Sequence, residues 1–487
     1  MNVTFDNTYA RLPERFFSSV EPETSSNPET IVVNEELARR LGFDPQWLES
    51  REGAEFIVGN RILDESEPIA LVYAGHQFGN WVPRLGDGRA VLLGEVLDED
   101  GQRYDVQLKG SGRTPYSRQG DGRAPLGPVL REYLVAESMA ALGIPTTRAL
   151  AAASTGDPVL RQRSLPGAVL VRVAKSHIRV GTFEYFASRE DSDAIELLID
   201  YTLERHYPES KDGGAVELLR GVADRQAKLI ARWQLLGFIH GVMNTDNMLL
   251  SGETVDYGPC AYMNEYDPET VYSSIDRHGR YAYGNQPVIG QWNLARFAQA
   301  LMVGIGGDDE QEHFLEEAQQ VIDEFPQKFR GYYCRGMAKK LGLEQYGDDD
   351  WPLIEDLLEL MAESESDYTL TFRGLTELRG DAEETTELFS LSEVFDDWIE
   401  RWRKRLDTEK RSEEEQHLQM SRENPVFIPR NHLVAAALGD AVEQSDYGRF
   451  YELLEVLDKP FEYRSELERF ARPPAPDERV EATFCGT

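Results

Sequence analysis

"GFIHGVMNTDNMLLSGETVDYGP", Gly237 to Pro259, sets the frame for the whole chain. A kinase-type catalytic loop reads His-x-Asp with an asparagine five residues after the aspartate. That aspartate accepts the substrate hydroxyl's proton, and the asparagine holds magnesium. His240 and Asn247 stand at this spacing, but the position of the aspartate is Val242. Asp256-Tyr257-Gly258 follows as an Asp-aromatic-Gly turn. Asn247 and Asp256 are hard oxygen ligands, loop then turn, suited to a divalent cation that bridges phosphates. The nearest carboxylate able to replace the missing base is Asp246. A helix-capping Asp-Asn pair without catalysis is the plainer reading of the same letters.

Upstream of this loop the sequence is rich in glycine and short β-prone runs. "RAVLLGEVL" (89–97), "YDVQLKG" (104–110) and "GAVLVRVA" (167–174) read as strands bounded by turns. "GPVLREYLVAESMAALGIP" reads as a helix with Leu130, Leu134 and Met139 on one face, ended by Gly143 and Pro145. Lys109 closes the second strand and is the sole lysine in the first 174 residues. A lysine there can reach nucleotide phosphates as a point charge, with Glu132 in the next helix as the natural ion-pair partner. Two GDGR turns flank it. Gly86, Gly88 and Arg89 in the first, and Asp121, Gly122 and Arg123 in the second, could bring backbone N–H groups and charge to phosphate. Gly-Asp-Gly turns between strands are commonplace, so each signal is weak alone. "VRVAKSHIRVGTF" adds Arg172 and Arg179, either donors for an internal anion or partners of neighbouring carboxylates.

Downstream the text turns helical, with "AVELLRGVADRQAKLIARWQLLGFIHG" leading into the opening stretch and "WNLARFAQALMVGI" following it. The acidic run from Asp308 to about Gln419 is also helical, and charge clusters such as "GDDDW" and "RSEEEQH" read as solvated faces or loops. The Pro-rich tail "ARPPAPDERVEATFCGT" reads as extended. A β-rich N-terminal part followed by a helical part, with a catalytic-type loop at the junction, predicts an α+β, protein-kinase-like two-lobed fold with an acidic helical C-terminal extension. The expected organisation is an N-terminal extension over 1–64, a nucleotide-binding lobe over 65–185, and a helical lobe with its extension over 186–487.

The 487 residues carry a formal charge of −36. Ten lysines among 51 basic residues leave 41 arginines, an acidic, lysine-poor surface that predicts salt adaptation. Such a charge argues against nucleic-acid binding, which needs a basic stripe. An anionic nucleotide would need a local basic pocket within a repelling field, a field screened within about 3 Å in molar salt. No apolar run is long enough for a membrane span, and no secretory leader is visible, so a cytoplasmic location is expected; the chain is expected to act as a monomer. Cys260, Cys334 and Cys485 form neither a disulfide framework nor a zinc motif.

The missing base has a chemical consequence. A displaced base implies a displaced electrophile. If the α-phosphate, and not the γ-phosphate, meets the acceptor hydroxyl, AMP is transferred and pyrophosphate leaves. Taken together, "YAGHQFGNWVPRLGDGRA", "QLKGSGRTPYSRQGDGRAPLGP", "RVAKSHIRVGTFEYF", "HGVMNTDNM", "DYGP", "GRYAYGNQP", "NPVFIPRNH" and the final "TFCGT" resemble, in order, segments of the selenoprotein-O family of protein adenylyltransferases. The likeness runs from about Tyr9 to the C-terminus. It implies a kinase-like fold that binds ATP inverted and transfers AMP to Ser, Thr or Tyr of proteins. It also implies Lys109 with Glu132, and Arg172 and Arg179, at the phosphates, with Gly86, Gly88, Arg89, Asp121 and Gly122 lining the nucleotide. Asp246 becomes the proton acceptor, and Asn247 and Asp256 the ligands of Mg2+, with Mn2+ as an alternative. Cys485 matches the selenocysteine position of vertebrate members. Tyr272 stands where some bacterial members have a pairing cysteine, which leaves Cys260 as a substitute partner. Three readings stay open beside AMP transfer: γ-phosphoryl transfer with Asp246 as base, a catalytically silent nucleotide-binding scaffold, and UMP transfer from UTP.

Overall fold

A computed structural model describes residues 3–380 and 387–483. Its main element is a mixed-length antiparallel sheet of nine strands. The strands are β1 (Thr4–Phe5), β2 (Phe17–Ser19), β3 (Glu29–Val33), β4 (Ile69–Leu71), β7 (Ala90–Leu97), β8 (Arg103–Lys109), β9 (Ala124–Pro125), β10 (Arg148–Leu160) and β11 (Ser164–Ala174). The order is β2-β4-β7-β8-β11-β10-β3, with β1 added to β7 and β9 to β11. A separate hairpin, β5 (Gly75–Gln77) with β6 (Asn80–Val82), stands off this sheet.

Alternation along β8 and β11 gives the sheet two unlike faces. Val106, Leu108, Val169, Val171 and Val173 point to one side and join Leu37, Leu48, Phe56 and Ile57 in a closed apolar layer. Those partners come from α1 (Glu35–Arg40), α2 (Pro45–Glu49) and α3 (Arg51–Val58). The opposite face carries Asp105, Gln107 and Lys109, with Arg172 directly opposite Gln107 in the register. All four polar side chains are buried. A polar row on the covered face of a sheet is costly unless it is paired, and it marks where the site is.

The helix α4 (Leu126–Ala141) lies across this polar face and brings Glu132 to it. It stops where Leu142 caps it and Gly143 takes φ +74°. Beyond the sheet the chain is helical: α5 (Val180–Ala187), α6 (Ser192–His206), α7 (Gly214–Leu235), α8 (Gln286–Met302) and α9 (Asp308–Lys340). The 33-residue α9 opens on Asp308, Asp309 and Glu310 and closes on Lys339 and Lys340, in line with its dipole. One continuous core runs from Tyr9 to Ala471, and a second gathers around Trp398, Trp402 and Tyr368. No helix among the described residues is long and apolar enough to cross a membrane.

One charge run departs from the sequence reading. In "GDDDW", Asp350 is buried, accepting from Arg405 Nε at 2.6 Å and from Gly347 N at 2.8 Å. It starts a helix and anchors a neighbour, where pattern alone suggested solvent. At the other acidic cluster Ser412 caps a helix whose first turn holds Glu413 to Glu415, all exposed. The tail returns to the body at Thr483, whose N–H donates to Tyr272 O at 2.8 Å and whose hydroxyl donates to Pro259 O at 2.6 Å. Cys260 and Cys334 are buried free thiols, and Cys485 lies outside the described residues.

Candidate active site

The stretch Gly237–Pro259 is held as a closed loop by two short strands, Phe238–Ile239 and Ala261–Tyr262, that pair antiparallel. His240 is fully enclosed, donating from Nε2 to Val255 O (2.9 Å) and accepting Val242 N–H at Nδ1 (3.3 Å). Burial pushes its pKa down, so the ring is a neutral strut joining the two halves of the loop. Asn247 donates its amide to Val242 O at 3.0 Å, which leaves its side-chain oxygen for other work. Arg179 donates to the backbone oxygen of Asp246 at 2.6 Å and fixes the turn Thr245–Asn247 from the opposite side.

Asp256 takes φ +62°, a left-handed conformation that aspartate tolerates better than most residues. The turn aims its carboxylate at three cations. Lys109 Nζ reaches Oδ1 at 2.6 Å, Arg172 Nη1 reaches Oδ1 at 2.8 Å, and Arg179 Nη1 reaches Oδ2 at 3.1 Å. Glu132 meets Lys109 at 2.6 Å and Arg172 at 3.2 Å. Burial alone would raise the Asp256 carboxyl, but Lys109, Arg172 and Arg179 outweigh it and hold it well below the usual range. Three cations against two carboxylates leave a net positive charge in a desolvated place. Gln107 extends the network, accepting both Arg172 Nε (3.1 Å) and Nη2 (2.6 Å) and donating to Asp87 at 3.0 Å. Burial pushes Asp87 up to about 6 in spite of Arg179.

These groups open on a cavity of about 1070 Å³. Lys109, Glu132, Arg172, Arg179, Asp246, Asn247 and Asp256 line it, together with Gly86, Gly88, Arg89, Asp121 and Gly122. Every candidate named from the sequence therefore borders one space. Some of these residues have additional structural reasons. Gly86 has φ +83°, and a Cβ there would overlap the Tyr116 ring. Asp121 is paired with Arg161 at 2.8 Å, and that hydrogen bond lowers its pKa. Lys109 and eight arginines line the cavity against five carboxylates, a local reversal of the charge of the chain.

Asp246 is the group least provided for. Gln77 Nε2 donates to its Oδ2 at 3.2 Å, whereas Oδ1 is buried with no hydrogen-bond partner among the described residues. Burial pushes the carboxyl up to about 6, against the pull of Arg179 and Gln77. The carboxylate nestles against Gly75, where a Cβ would sit 2.7 Å from Oδ1. Gln77, Asp87, Gln107 and Arg161 were not singled out from sequence. For Gln107 a signal existed, since it shares a strand face with Lys109 two residues on; the others depend on tertiary pairing.

A family model described as protein adenylyltransferase SelO matches residues 1–458. The chain is 54% identical over 488 residues to the protein nucleotidyltransferase YdiU of Rhodopseudomonas palustris strain BisB5, covering 99% of each. Its identity to the protein of that name from Bradyrhizobium diazoefficiens is also 54%, with 99% of each covered. The Nitrobacter hamburgensis protein of the same name is 53% identical over 100% of this chain and 96% of its own length.

Proposed function

Because the chain belongs to the SelO family of protein adenylyltransferases, we propose that it transfers AMP from ATP to Ser, Thr or Tyr hydroxyls of proteins, on a kinase-like two-lobed scaffold. The observation that carries this reading is the meeting of an underprovided carboxylate, Asp246, and a cationic wall on one cavity. Val242 occupies the position where a phosphoryl-transfer base belongs, so the base acts four residues later in the chain. The description of the family model names adenylyl transfer, whereas the relatives' names give only nucleotidyl transfer. UMP transfer from UTP is therefore the second reading.

In this scheme Lys109, Arg172 and Arg179 neutralise the triphosphate, with Arg89 and the Gly86–Gly88 turn on the facing wall. Glu132 and Gln107 hold the lysine and arginine in place, so little reorganisation accompanies the reaction. The acceptor hydroxyl gives its proton to Asp246 as its oxygen bonds to the α-phosphorus. The bond from that phosphorus to the bridging oxygen breaks, and pyrophosphate leaves with the electron pair. Asn247 and Asp256 would hold magnesium. Their hard oxygens fit an ion that takes one or two carboxylates and completes its shell with phosphates and water. When bound, the ion supplies charge neutralisation at the phosphates. We place the reaction in a salt-rich cytoplasm, with the protein a monomer.

Auto-labelling in concentrated KCl with magnesium tests the reading, with ATP labelled at the α- or the γ-phosphate and UTP labelled at the α-phosphate. Label from α-ATP alone, lost in Asp246→Ala and Asp256→Ala, is the expected result. Label from the γ-phosphate would make the protein a kinase, and preference for UTP would make it a uridylyltransferase. A gentler variant probes the seat of the base. Gly75→Ala should lower kcat by about tenfold or more with little change in KM for ATP, since a misplaced base costs chemistry and not nucleotide binding. Unchanged kcat would show that the contact with Gly75 does not position Asp246.

A further inference from the structure

The site does not end at Asp246. A second cavity of about 600 Å³ shares Phe78 and Ile275 with the first and continues outward along Arg277, Arg280 and Val288. Its composition is unusual for this chain. Ile275 and Val288 expose 63% and 62% of their surface, among the most exposed large apolar side chains among the described residues. Its single lining carboxylate, Asp276, is consumed by backbone, accepting from Arg280 N at 3.0 Å and Tyr281 N at 2.7 Å. Arg277 and Arg280 have no carboxylate partner among the described residues. Arg280 is stacked over Trp292 at 4.7 Å, and its Nε is buried without a hydrogen-bond acceptor. Two unpaired arginines beside exposed aliphatics, on a protein of charge −36, form a surface built to meet something acidic and apolar.

The groove is also wired to the base. Phe78 follows Gln77, the residue that donates to Asp246. Asn244 Oδ1 accepts from Phe78 N at 3.0 Å and from the Tyr281 hydroxyl at 2.7 Å, and the Phe78 and Tyr281 rings lie 5.1 Å apart. A chain lying here would touch the hairpin and the loop that together hold Asp246.

We infer that this groove seats the acceptor segment of the protein substrate, a stretch in which the modified hydroxyl is flanked by an aliphatic side chain and by carboxylates. The inference rests on the proposed transfer, because the acceptor must present its hydroxyl at Asp246. The first cavity's cationic wall is matched to the triphosphate, which leaves the adjoining groove for the second substrate. The aliphatic flank covers Ile275 and Val288, and the carboxylates pair with Arg277 and Arg280. Elsewhere the acidic surface repels such a segment, so the groove selects by local reversal of charge.

The test uses two fluorescent serine peptides, identical except that Glu or Lys flanks an Ile-Ser core, with full-length protein. Anisotropy should show the acidic peptide binding about tenfold or more tightly than the basic one. Arg277→Glu, at an exposed position where folding is not at stake, should reverse that order, and Ile275→Asp should weaken both peptides. Affinity for ATP should be unchanged in Arg277→Glu, whose side chain lines the second cavity and not the first. Equal binding of the two peptides, or an order that survives Arg277→Glu, would overturn the inference. So would dimerisation through Arg277 with no peptide bound, since the face would then belong to a second copy of the chain. Transfer is read separately. Equal labelling of both peptides from α-labelled ATP keeps the reaction and removes the groove, whereas selective binding without any label keeps the groove and faults the reaction.

Discussion

Asp246→Asn should abolish transfer and at the same time make the protein more stable at neutral pH. Loss of a general base lowers kcat by about 10²–10⁴-fold. The stability gain follows from the raised pKa. Burial moves the Asp246 carboxyl from an ordinary 3.8 to about 6, so ionising it costs more in the folded chain than in the unfolded one. A shift of that size corresponds to about 3 kcal/mol of destabilisation at pH values above both limits. Between about 4 and 6 the folded state holds more protons than the unfolded state, so stability falls as pH rises through this window and is level above it. Asparagine never ionises and keeps an oxygen for Gln77, so its advantage should be absent at pH 4 and full at pH 7.5. Denaturant melts at these two values read the effect directly. An Asn variant that is less stable at pH 7.5 would show that the carboxylate is well satisfied and not strained by burial. Asp87 is raised to about 6 by burial as well, so some of the acid-side slope should persist in the variant. In the wild-type enzyme, kcat/KM should climb through about pH 6 as Asp246 loses its proton, then level off.

The parts of this architecture that were legible in the sequence are those written in local pattern. Ala90–Leu97, Arg103–Lys109 and Ser164–Ala174 are β-branched or alternating runs with glycine turns between them. Leu126–Ala141 is an apolar stripe with a Gly-Pro stop. The edge strands Thr4–Phe5 and Glu29–Val33 were not legible. They are two and five residues long and pair with Val96–Leu97 and with Ser154 and its neighbours, far along the chain. The site divides in the same way. Lys109, Asp246, Asn247 and Asp256 sit in motifs whose spacing has a chemical reason, so the sequence alone points to them. Gln107 and Asp87 matter only because strand register sets Gln107 opposite Arg172, a relation no single segment contains. Val242 is instructive on both counts. Its side chain announces that the usual base is gone, and only the fold shows its carbonyl anchoring the Asn247 amide.

Asp256→Ala should separate the two jobs of that residue. Its carboxylate neutralises Lys109, Arg172 and Arg179; without it Lys109 and Arg172 share Glu132, and Arg179 keeps no ion-pair partner among the described residues. Removing one partner of a buried ion cluster costs several kcal/mol, and the 24% exposure of the Asp256 side chain puts the expected loss at the lower end, about 3 kcal/mol. A polyanion should repair that loss. With EDTA present, tripolyphosphate must compete with Asp256 for the cations in the wild-type protein but meets no competitor in the variant. It should therefore bind Asp256→Ala about tenfold more tightly and raise its denaturation midpoint further, as ligand linkage requires. Turnover with magnesium should nevertheless vanish, because the metal ligand is gone. Lys109→Met, placed on the same wall, should weaken tripolyphosphate in both backgrounds. Equal affinity of wild type and Asp256→Ala for tripolyphosphate would mean that the caged cations are structural ties for the loop, and that the triphosphate is held by other arginines of the cavity instead.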